Sequence, residues 1–517
     1  MSAADASSAG AKPMSGAVLG LTAFALALGT FMQVLDGTIA NVSLPTIAGY
    51  LGASTDDATW VITAFSAANG ITVPLTGWLM GRFGVVRTFV VSVVLFTITS
   101  FMCGTATSLP MLVFFRLLQG GVSGPMIPGS QALLISIFPP QQRGLALGIW
   151  SLTALVGPVA GPILGGYICD NYHWSLVFLI NVPVGVFCGL VAWRAMRTRE
   201  TPTRRLPIDT VGLFLLATWV GALQCVLDLG KNADWFNSTT IVILTVVAAV
   251  AFVAWVIWEL TDAHPAVDLS LFRNRNFLLG TVAFSLGYAL FFANNLILPV
   301  WLQQQLAYTA TWAGLVSAPS GAVAIVLTPI LTRFGGKMDA RWLATLSFVA
   351  FGASYFMRAG YTTYADFASF MVPLLVQGVA MSAFFMSMLT ISLQGIPPER
   401  VPSATGISNF ARITGGSFAA SIFTTAWDRR EALHQTRLAD ATAPYSQVFV
   451  QGAHSLGRLG LTNHQAEGAV GQQMVGQAYL LSSIELFWIC GWLSFAMIGL
   501  VWLSSRPTGG GGPVAAD

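Results

Sequence analysis

Gln33-Val34-Leu35-Asp36-Gly37-Thr38-Ile39-Ala40-Asn41-Val42-Ser43-Leu44-Pro45 closes an apolar run that begins near Ala17. The run is longer than the roughly 20 residues a helix needs to cross a bilayer core. One carboxylate, Asp36, interrupts its outer half. An ionised carboxylate costs about 2.5–3.5 kcal/mol at the centre of an inserted helix, so such groups face a bundle interior or a wet cavity. Desolvation favours the neutral acid, and a carboxyl that alternates between dry and wet settings loads and releases a proton. Asp36 is therefore read as a proton carrier. The competing reading is a neutral or cation-paired aspartate that only helps helices pack, a role that needs no ionisable group.

The same kind of run recurs along the chain. Of 517 residues, 55% are hydrophobic and only 9% charged, which excludes an ordinary soluble domain. Fourteen apolar segments begin near Ala17, Ala58, Thr88, Pro110, Arg143, Ser175, Ile208, Thr239, Phe277, Thr311, Arg341, Asp366, Pro402 and Ala478. In lipid each is expected to be a helix, because open strands leave their polar backbone unpaired. The first segment is too long for a signal-peptide core and reads as an uncleaved span. Cys103, Cys169, Cys188, Cys225 and Cys490 are scattered without paired spacing, which argues against a disulfide framework or a metal site. Cations are asymmetric. With the N-terminus inside, Lys12, Arg82, Arg87, Arg143, Arg194, Arg204, Arg333, Lys337, Arg400 and Arg506 all fall on the cytoplasmic side, whereas short outer loops and helix ends receive only Lys231 and Arg358. The positive-inside rule then puts both termini in the cytoplasm. The net charge of +3 is a topology signal and implies no nucleic-acid partner.

The chain also repeats itself. Ala58-Thr59-Trp60 and Arg82-Phe83-Gly84 bracket span 2, as Ala310-Thr311-Trp312 and Arg333-Phe334-Gly335 bracket span 10. Further on, a constant offset of 258 relates Gln119-Gly120 to Gln377-Gly378, Pro139-Pro140 to Pro397-Pro398, Gly148-Ile149 to Gly406-Ile407 and Gly157 to Gly415. Two parallel six-helix repeats with substrate held between them are a secondary-transporter signature. The expected organisation is a tail over 1–16, a six-helix bundle over 17–200 and two inserted helices over 201–262. A second six-helix bundle follows over 263–505 with an outer loop at 426–477, then a flexible tail over 506–517 carrying Gly509–Gly512. Neither Asp36 nor Arg116 has a charged counterpart in the second repeat, and asymmetric charge on a symmetric scaffold suggests function.

Three motifs sit on this scaffold. Gly77-Trp78-Leu79-Met80-Gly81-Arg82-Phe83-Gly84-Val85-Val86-Arg87 follows span 2; Gly77 and Gly84 permit a tight turn and close approach, and Arg82 and Arg87 stand on the positive side. Phe115-Arg116-Leu117-Leu118-Gln119-Gly120 lies in span 4, with Arg116 about six residues, or roughly 9 Å, inside the outer end at a depth similar to Asp36. A guanidinium stays charged there and needs a partner. Gly157-Pro158-Val159-Ala160-Gly161-Pro162-Ile163-Leu164-Gly165-Gly166 lies in span 5. Gly157, Gly161 and Gly165 share a helix face open to a close neighbour, and Pro158 and Pro162 permit a bend.

On these motifs the chain resembles the fourteen-helix drug:proton antiporter group of the major facilitator superfamily, over essentially its whole length. The resemblance implies an all-α integral membrane protein with the major facilitator fold, fourteen transmembrane helices as two six-helix bundles plus two inserted ones. It implies a role for Arg116 in proton transfer, and it likens the Gly157–Gly166 stretch to the antiporter motif that marks exporters. The family's loop motif has an aspartate where this chain has Gly81, so the usual charge contact between halves lacks its acid at this position.

Two more intramembrane charges are candidates for proton coupling: Glu485, about seven residues into span 14, and Arg412, in mid-span 13. They are read as a structural pair, a second proton site or a substrate contact. Gln33, Asn41, Asn69, Gln119, Asn294, Asn295, Gln377 and Asn409 are the polar groups expected to line a cavity, some of them only bridging helices. Phe385, with Phe31, Phe292 and Phe384, offers aromatic walls to a flat apolar drug. In the outer loop, Thr462-Asn463-His464-Gln465 has the form of a capping box, and apolar residues recur at helical spacing from Val448 to Leu459. His434, His454 and His464 lack ligand spacing. The family reading of this loop is docking to a periplasmic adaptor that leads to an outer-membrane channel; a solvated cap over the second bundle is the alternative.

The whole reads as a proton-coupled exporter of hydrophobic small molecules in a bacterial inner membrane, part of a tripartite system. It needs no cofactor, being driven by the proton gradient, and it is not an enzyme. Export of one endogenous compound, such as a fatty acid or siderophore, stays open as the alternative.

Overall fold

The computed structural model describes residues 14, 16–139, 142–203, 207–335, 338–363, 365–441, 449–452, 458 and 462–505. Lys12, Pro140, Arg204, Lys337, His454, Arg506, Gly509–Gly512 and most of the Val448–Leu459 stretch lie outside these residues, as do the side chains of Arg143 and Arg333. Among the described residues the chain is helical, without a β-strand.

The first repeat holds α1 (Gly16–Tyr50), α2 (Thr55–Ala58), α3 (Trp60–Thr72), α4 (Thr76–Phe83), α5 (Val85–Gly104), α6 (Leu109–Ser123), α7 (Met126–Ile137), α8 (Arg143–Asn171), α9 (Leu176–Leu179) and α10 (Asn181–Met196). Then come α11 (Thr210–Leu229) and α12 (Thr239–Thr261). The second repeat holds α13 (Arg275–Gln305), α14 (Ala310–Gly335), α15 (Ala340–Arg358), α16 (Phe367–Ser392), α17 (Val401–Ala441) and α18 (Asn463–Trp502). Taken with α3–α4, α6–α7 and α9–α10 as broken single crossings, these make the fourteen spans expected.

Among the described residues, ten helical stretches are long and apolar enough to cross a membrane on their own. The other four spans fall short for local reasons. Val73-Pro74-Leu75 parts α3 from α4, and Gly124-Pro125 parts α6 from α7, because proline lacks the N–H that would continue the ladder. The two breaks lie side by side: a Cβ on Gly124 would come within 2.6 Å of the Thr72 carbonyl carbon. Arginines bound both ends of α15, at Arg341 and Arg358. The first two-thirds of α17 is diluted by Gly, Ser and Thr together with Asn409 and Arg412, and its last part is a polar extension.

That extension is a departure from the sequence reading, which ends span 13 near Ala426 and starts span 14 near Ala478. Helix α17 continues to Ala441, and α18 already begins at Asn463, its start fixed by the Thr462–Gln465 capping box. Hydropathy marks where a helix leaves lipid, and says nothing about where it stops being a helix. Two helical arms therefore stand out from one face, here called the distal face.

The opposite face carries the first and last described residues, taken here as the chain ends: Met14 N donates to the Ile137 carbonyl at 3.3 Å, and Ser505 N to Asn276 Oδ1 at 2.7 Å. Within the first repeat α1 packs on α8, α10 and α7, and α3 on α6; within the second α13 packs on α17, and α15 on α16 and α18. Lipid gives helices little hydrophobic reason to associate, so small residues allow the close contacts. A Cβ on Gly120 would lie 2.3 Å from the Phe65 carbonyl oxygen, and one on its repeat equivalent Gly378 2.5 Å from that of Ser320. Helix α11 touches both repeats, with Val220 against Gly70 of α3 and the Leu227 carbonyl accepting from Ser421 of α17 at 2.6 Å.

Candidate functional site

Asp36 is completely buried on α1, and the helices around it supply three hydrogen-bond donors to its two oxygens. Arg116 Nη1 of α6 donates to Asp36 Oδ2 at 2.6 Å. Asn181 Nδ2, at the first residue of α10, donates to Oδ1 at 2.8 Å, and Gln119 Nε2 to the same oxygen at 3.3 Å. The arginine is itself held on three sides. Its Nε donates to the Val61 carbonyl at 3.1 Å, its Nη1 also reaches Gln119 Oε1 at 2.8 Å, and its plane lies 4.1 Å from the Phe65 ring centre. Behind Asn181, Ser100 Oγ accepts from its amide at 3.1 Å and donates to the Phe178 carbonyl at 2.9 Å. Such a pair repays desolvation only when its remaining donors and acceptors are also satisfied; here both carboxylate oxygens and the Nε and Nη1 donors of the arginine have partners.

The glycine face of α8 is seated on the same turns of α1. A Cβ on Gly157 would lie 2.6 Å from Val34, one on Gly161 2.1 Å from the Thr38 hydroxyl, and one on Gly165 3.1 Å from the Ile39 carbonyl oxygen. Thr38 Oγ1 is 3.2 Å from the Gly157 carbonyl. Pro158 and Pro162 lie within α8. The other face of α8 meets the second repeat, with Val159 against Gly321 and Ile163 against Gly314 of α14. One helix is thus packed on the carboxylate-bearing helix and on the opposite half.

Near the face that carries the chain ends the halves are closed on each other. A Cβ on Gly77 of α4 would lie 2.8 Å from Ser403 Cα of α17, and one on Gly148 of α8 3.3 Å from Thr332 Cβ of α14. Asn409 Nδ2 donates to Gln131 Oε1 across the gap at 3.0 Å, and the Trp150 and Phe385 rings meet edge-on at 6.2 Å. The loop after α4 finds its charge partner within its own half. Val86 N and Arg87 N donate to the Glu200 carboxylate at 3.0 and 2.9 Å, and Arg87 Nε stands 3.9 Å from it. Gly84 has φ +92, and a Cβ there would lie 2.3 Å from the same carboxyl group. Arg82 stacks near Trp78 and Phe83.

Glu485 and Arg412 are not brought together. Glu485 lies 3.1 Å from His434 Nε2 and 3.5 Å from Arg430 Nε, both on the outer arm of α17. Arg412 and Arg430 are 18 residues apart on one continuous helix, about 27 Å at 1.5 Å per residue. The structural pair is therefore excluded. Arg412 is buried instead among Tyr288, Phe284 and Phe385, 4.5 Å from the centre of the Tyr288 ring, with Nε donating to Asn409 Oδ1 at 3.3 Å. Farther out on the same arm, burial and the neighbouring Asp428 push the Glu431 carboxyl up.

The expected cavity polars divide. Asn69 donates to Ser123 at 2.8 Å, and Gln119, Gln377 and Asn409 likewise bridge helices. Asn294 and Asn295 each donate to a carbonyl one turn back in α13, at 2.8 Å. Gln33, Asn41 and Asn294 each keep a buried side-chain carbonyl oxygen without a hydrogen-bond partner among the described residues. Phe385 belongs to an aromatic cluster with Phe284, Tyr288 and Phe384. Sequence reasoning missed Asn181, Glu200 and the burial of Arg358. The first had a visible signal, a lone amide in an otherwise apolar span; the other two had none.

The model of the Major Facilitator Superfamily matches residues 26–420. The chain is 48% identical over 502 residues to the multidrug export protein EmrB of Escherichia coli strain K12, covering 97% of this chain and 98% of that protein. It is 43% identical over 502 residues to the fatty acid resistance protein FarB of Neisseria gonorrhoeae, covering 97% and 99%. Among solved structures it resembles the human organic anion transporter MFSD10 in fold, with a TM-score of 0.58 at 13% identity over 93% of this chain and 99% of that one.

Proposed function

Because this chain belongs to the major facilitator superfamily, we propose that it exports hydrophobic toxic compounds in exchange for protons across a bacterial inner membrane. The face bearing the chain ends is then cytoplasmic, and the described conformation is closed on that side. The observation that carries the proposal is the buried Asp36–Arg116 pair at 2.6 Å, on the helix that packs against the glycine face of α8, whose opposite face meets the second half.

In this reading the carboxylate is the switch. Protonation removes its charge and leaves Arg116 held only by Val61, Gln119 and the Phe65 face. Breaking one side of a buried pair typically costs about 3–5 kcal/mol, enough to favour a different packing of α1 on α6. Thr38 and Ile39 lie one turn from Asp36 against α8, so a shift of α1 is felt at the α8–α14 contact. Asp36 takes up a proton while the transporter is open outward, as drug leaves, and gives it up when open inward, as drug binds. One charge crossing 100 mV supplies about 2.3 kcal/mol, which sustains roughly a 50-fold gradient of an exchanged drug.

Drug and proton are the ligands of this cycle, which needs no cofactor and makes or breaks no covalent bond. The helical arms of α17 and α18 on the distal face supply the surface for a periplasmic adaptor leading to an outer-membrane channel.

A second reading is export of one amphiphilic acid, such as a fatty acid. It is favoured by the FarB relative and by Arg412, buried in an aromatic box without a carboxylate partner among the described residues.

The test uses inverted membrane vesicles with an energised pH gradient, to which drugs or fatty acids are added. Wild type is expected to lose gradient on addition of substrate, and Asp36→Asn is expected not to respond. An unchanged response in Asp36→Asn would remove the carboxylate from the mechanism.

A further inference from the structure

The two repeats treat equivalent glutamines differently. Gln119 and Gln377 are related by the offset of 258, and each receives a guanidinium: Gln119 from Arg116 on its own helix, Gln377 from Arg358 at the end of α15. At the place of Arg116 the second repeat has Leu374. The first arginine is neutralised by Asp36. The second has no such partner, since α13 carries no charged residue between 276 and 305, and Arg358 forms no ion pair among the described residues.

Arg358 is nonetheless completely buried. Its Nη2 donates to Gln377 Oε1, while its Nε and Nη1 have no hydrogen-bond partner among the described residues. The guanidinium lies 5.7 Å from the Tyr355 ring centre and 5.8 Å from that of Phe487. The phenol oxygens of Tyr355 and Tyr361 are also buried without partners among the described residues; Tyr355 lies one turn before Arg358 on α15, and Tyr361 N donates to the Arg358 carbonyl at 3.0 Å. A guanidinium does not shed its proton in a protein. Unfilled donors and a full positive charge therefore converge in one dry place.

Water would satisfy the donors and leave the charge uncompensated. A ligand that does both is small, because Trp301, Tyr361 and Phe370 close the surroundings with ring centres 4.9–6.2 Å apart. It accepts several hydrogen bonds and carries one negative charge. We infer that Arg358, Tyr355 and Tyr361 bind a small monovalent inorganic anion, such as chloride, in the core of the second bundle. Arg358 is the last residue of α15, at the distal face, which is the side from which the anion enters. The bound anion gives Arg358 the counter-charge that Asp36 gives Arg116, but a fixed one, which lets only one half respond to protons.

The test is thermal unfolding of the purified full-length protein in sodium chloride, bromide or gluconate at equal ionic strength. Wild type is expected to unfold at higher temperature in chloride and bromide than in gluconate, with a saturable dependence. Arg358→Gln and, as a milder change, Tyr361→Phe are expected to raise the half-saturating chloride concentration at least tenfold. Gln377→Glu places a carboxylate on the existing contact with Arg358, and is expected to unfold at one temperature in all three salts, no lower than wild type in gluconate. Equal unfolding of wild type in chloride and gluconate overturns the site. So does a halide response that survives unchanged in Arg358→Gln, or in Tyr361→Phe and Gln377→Glu together if Arg358→Gln does not fold.

Discussion

Asn181 Nδ2 lies 2.8 Å from Asp36 Oδ1, while Arg116 holds the other carboxylate oxygen at 2.6 Å. The amide comes from the first turn of α10, just past the break after α9, so the carboxylate ties span 1 to spans 4 and 6 at once. A hydrogen bond to a charged group contributes about 1.5–3 kcal/mol, equivalent to roughly 10- to 100-fold in a rate that depends on it. Asn181→Ala is expected to lower drug-dependent gradient loss in inverted vesicles at least tenfold while the protein still inserts and unfolds cooperatively. A variant that transports like wild type would mean that Asn181 only fills space.

The closed face offers a direct test of rocking between halves. At Gly148 and Thr332 the Cβ positions are 3.3 Å apart, close to the separation of about 3.8 Å that a disulfide spans. Gly148→Cys combined with Thr332→Cys also removes the threonine methyl that would crowd the new side chain. The pair is expected to cross-link under mild oxidation, to stop transport, and to regain it with a thiol reductant. Cys103, Cys188 and Cys490 are buried and Cys169 and Cys225 half-buried, so the single-cysteine variants serve as controls against cross-links to a native thiol. Full transport by the oxidised pair would show that α8 and α14 do not part here during the cycle.

Contact between α8 and α1 leaves no room for a methyl group at Gly161, where a Cβ would lie 2.1 Å from Thr38 Oγ1 and 2.8 Å from Thr38 Cβ. Overpacking of this kind costs about 1–3 kcal/mol. Gly161→Ala is expected to lower the unfolding temperature and slow transport. Adding Thr38→Gly removes both crowding atoms and should recover most of the lost stability, leaving the Ile39 amide at 3.1 Å as the tightest contact. If the double variant is as unstable as the single one, the glycine serves helix bending and not close approach.

Much of this architecture is readable before any coordinates. Spans follow from the length of apolar runs, and pairing of repeats from Gln119-Gly120 and Gln377-Gly378, whose glycines do pack on spans 2 and 10. Asp36 and Arg116 could be matched by depth alone, because a buried guanidinium needs a nearby acceptor. Other features depend on direction as well as depth. Arg358 stands at a helix end, where an arginine ordinarily reaches water, yet Tyr355 and Phe487 cover it. Glu485 sits in an apolar run and still meets Arg430 and His434, because α17 stays helical long after it turns polar. Glu200 was illegible for a different reason: its partners are backbone amides, which every sequence has.

Glu200 also decides what the loop after span 2 does. With Gly81 in place of an acid, the loop is held by two backbone N–H groups at the start of α5 donating to Glu200, in the same half, at 3.0 and 2.9 Å. A carboxylate capping a helix start contributes about 1–2 kcal/mol, whereas the Arg87 contact is long, at 3.9 Å, with the arginine 65% exposed, and such pairs add little. Glu200→Ala is therefore expected to lower the unfolding temperature, Arg87→Ala to leave it almost unchanged, and Glu200→Gln to fall between wild type and Glu200→Ala. Because the dominant contact is to backbone dipoles at short range, 0.5 M salt should not erase the difference between wild type and Glu200→Ala. If Arg87→Ala costs as much as Glu200→Ala and high salt abolishes both effects, the loop is held by an ion pair after all, and its arginines do more than set topology.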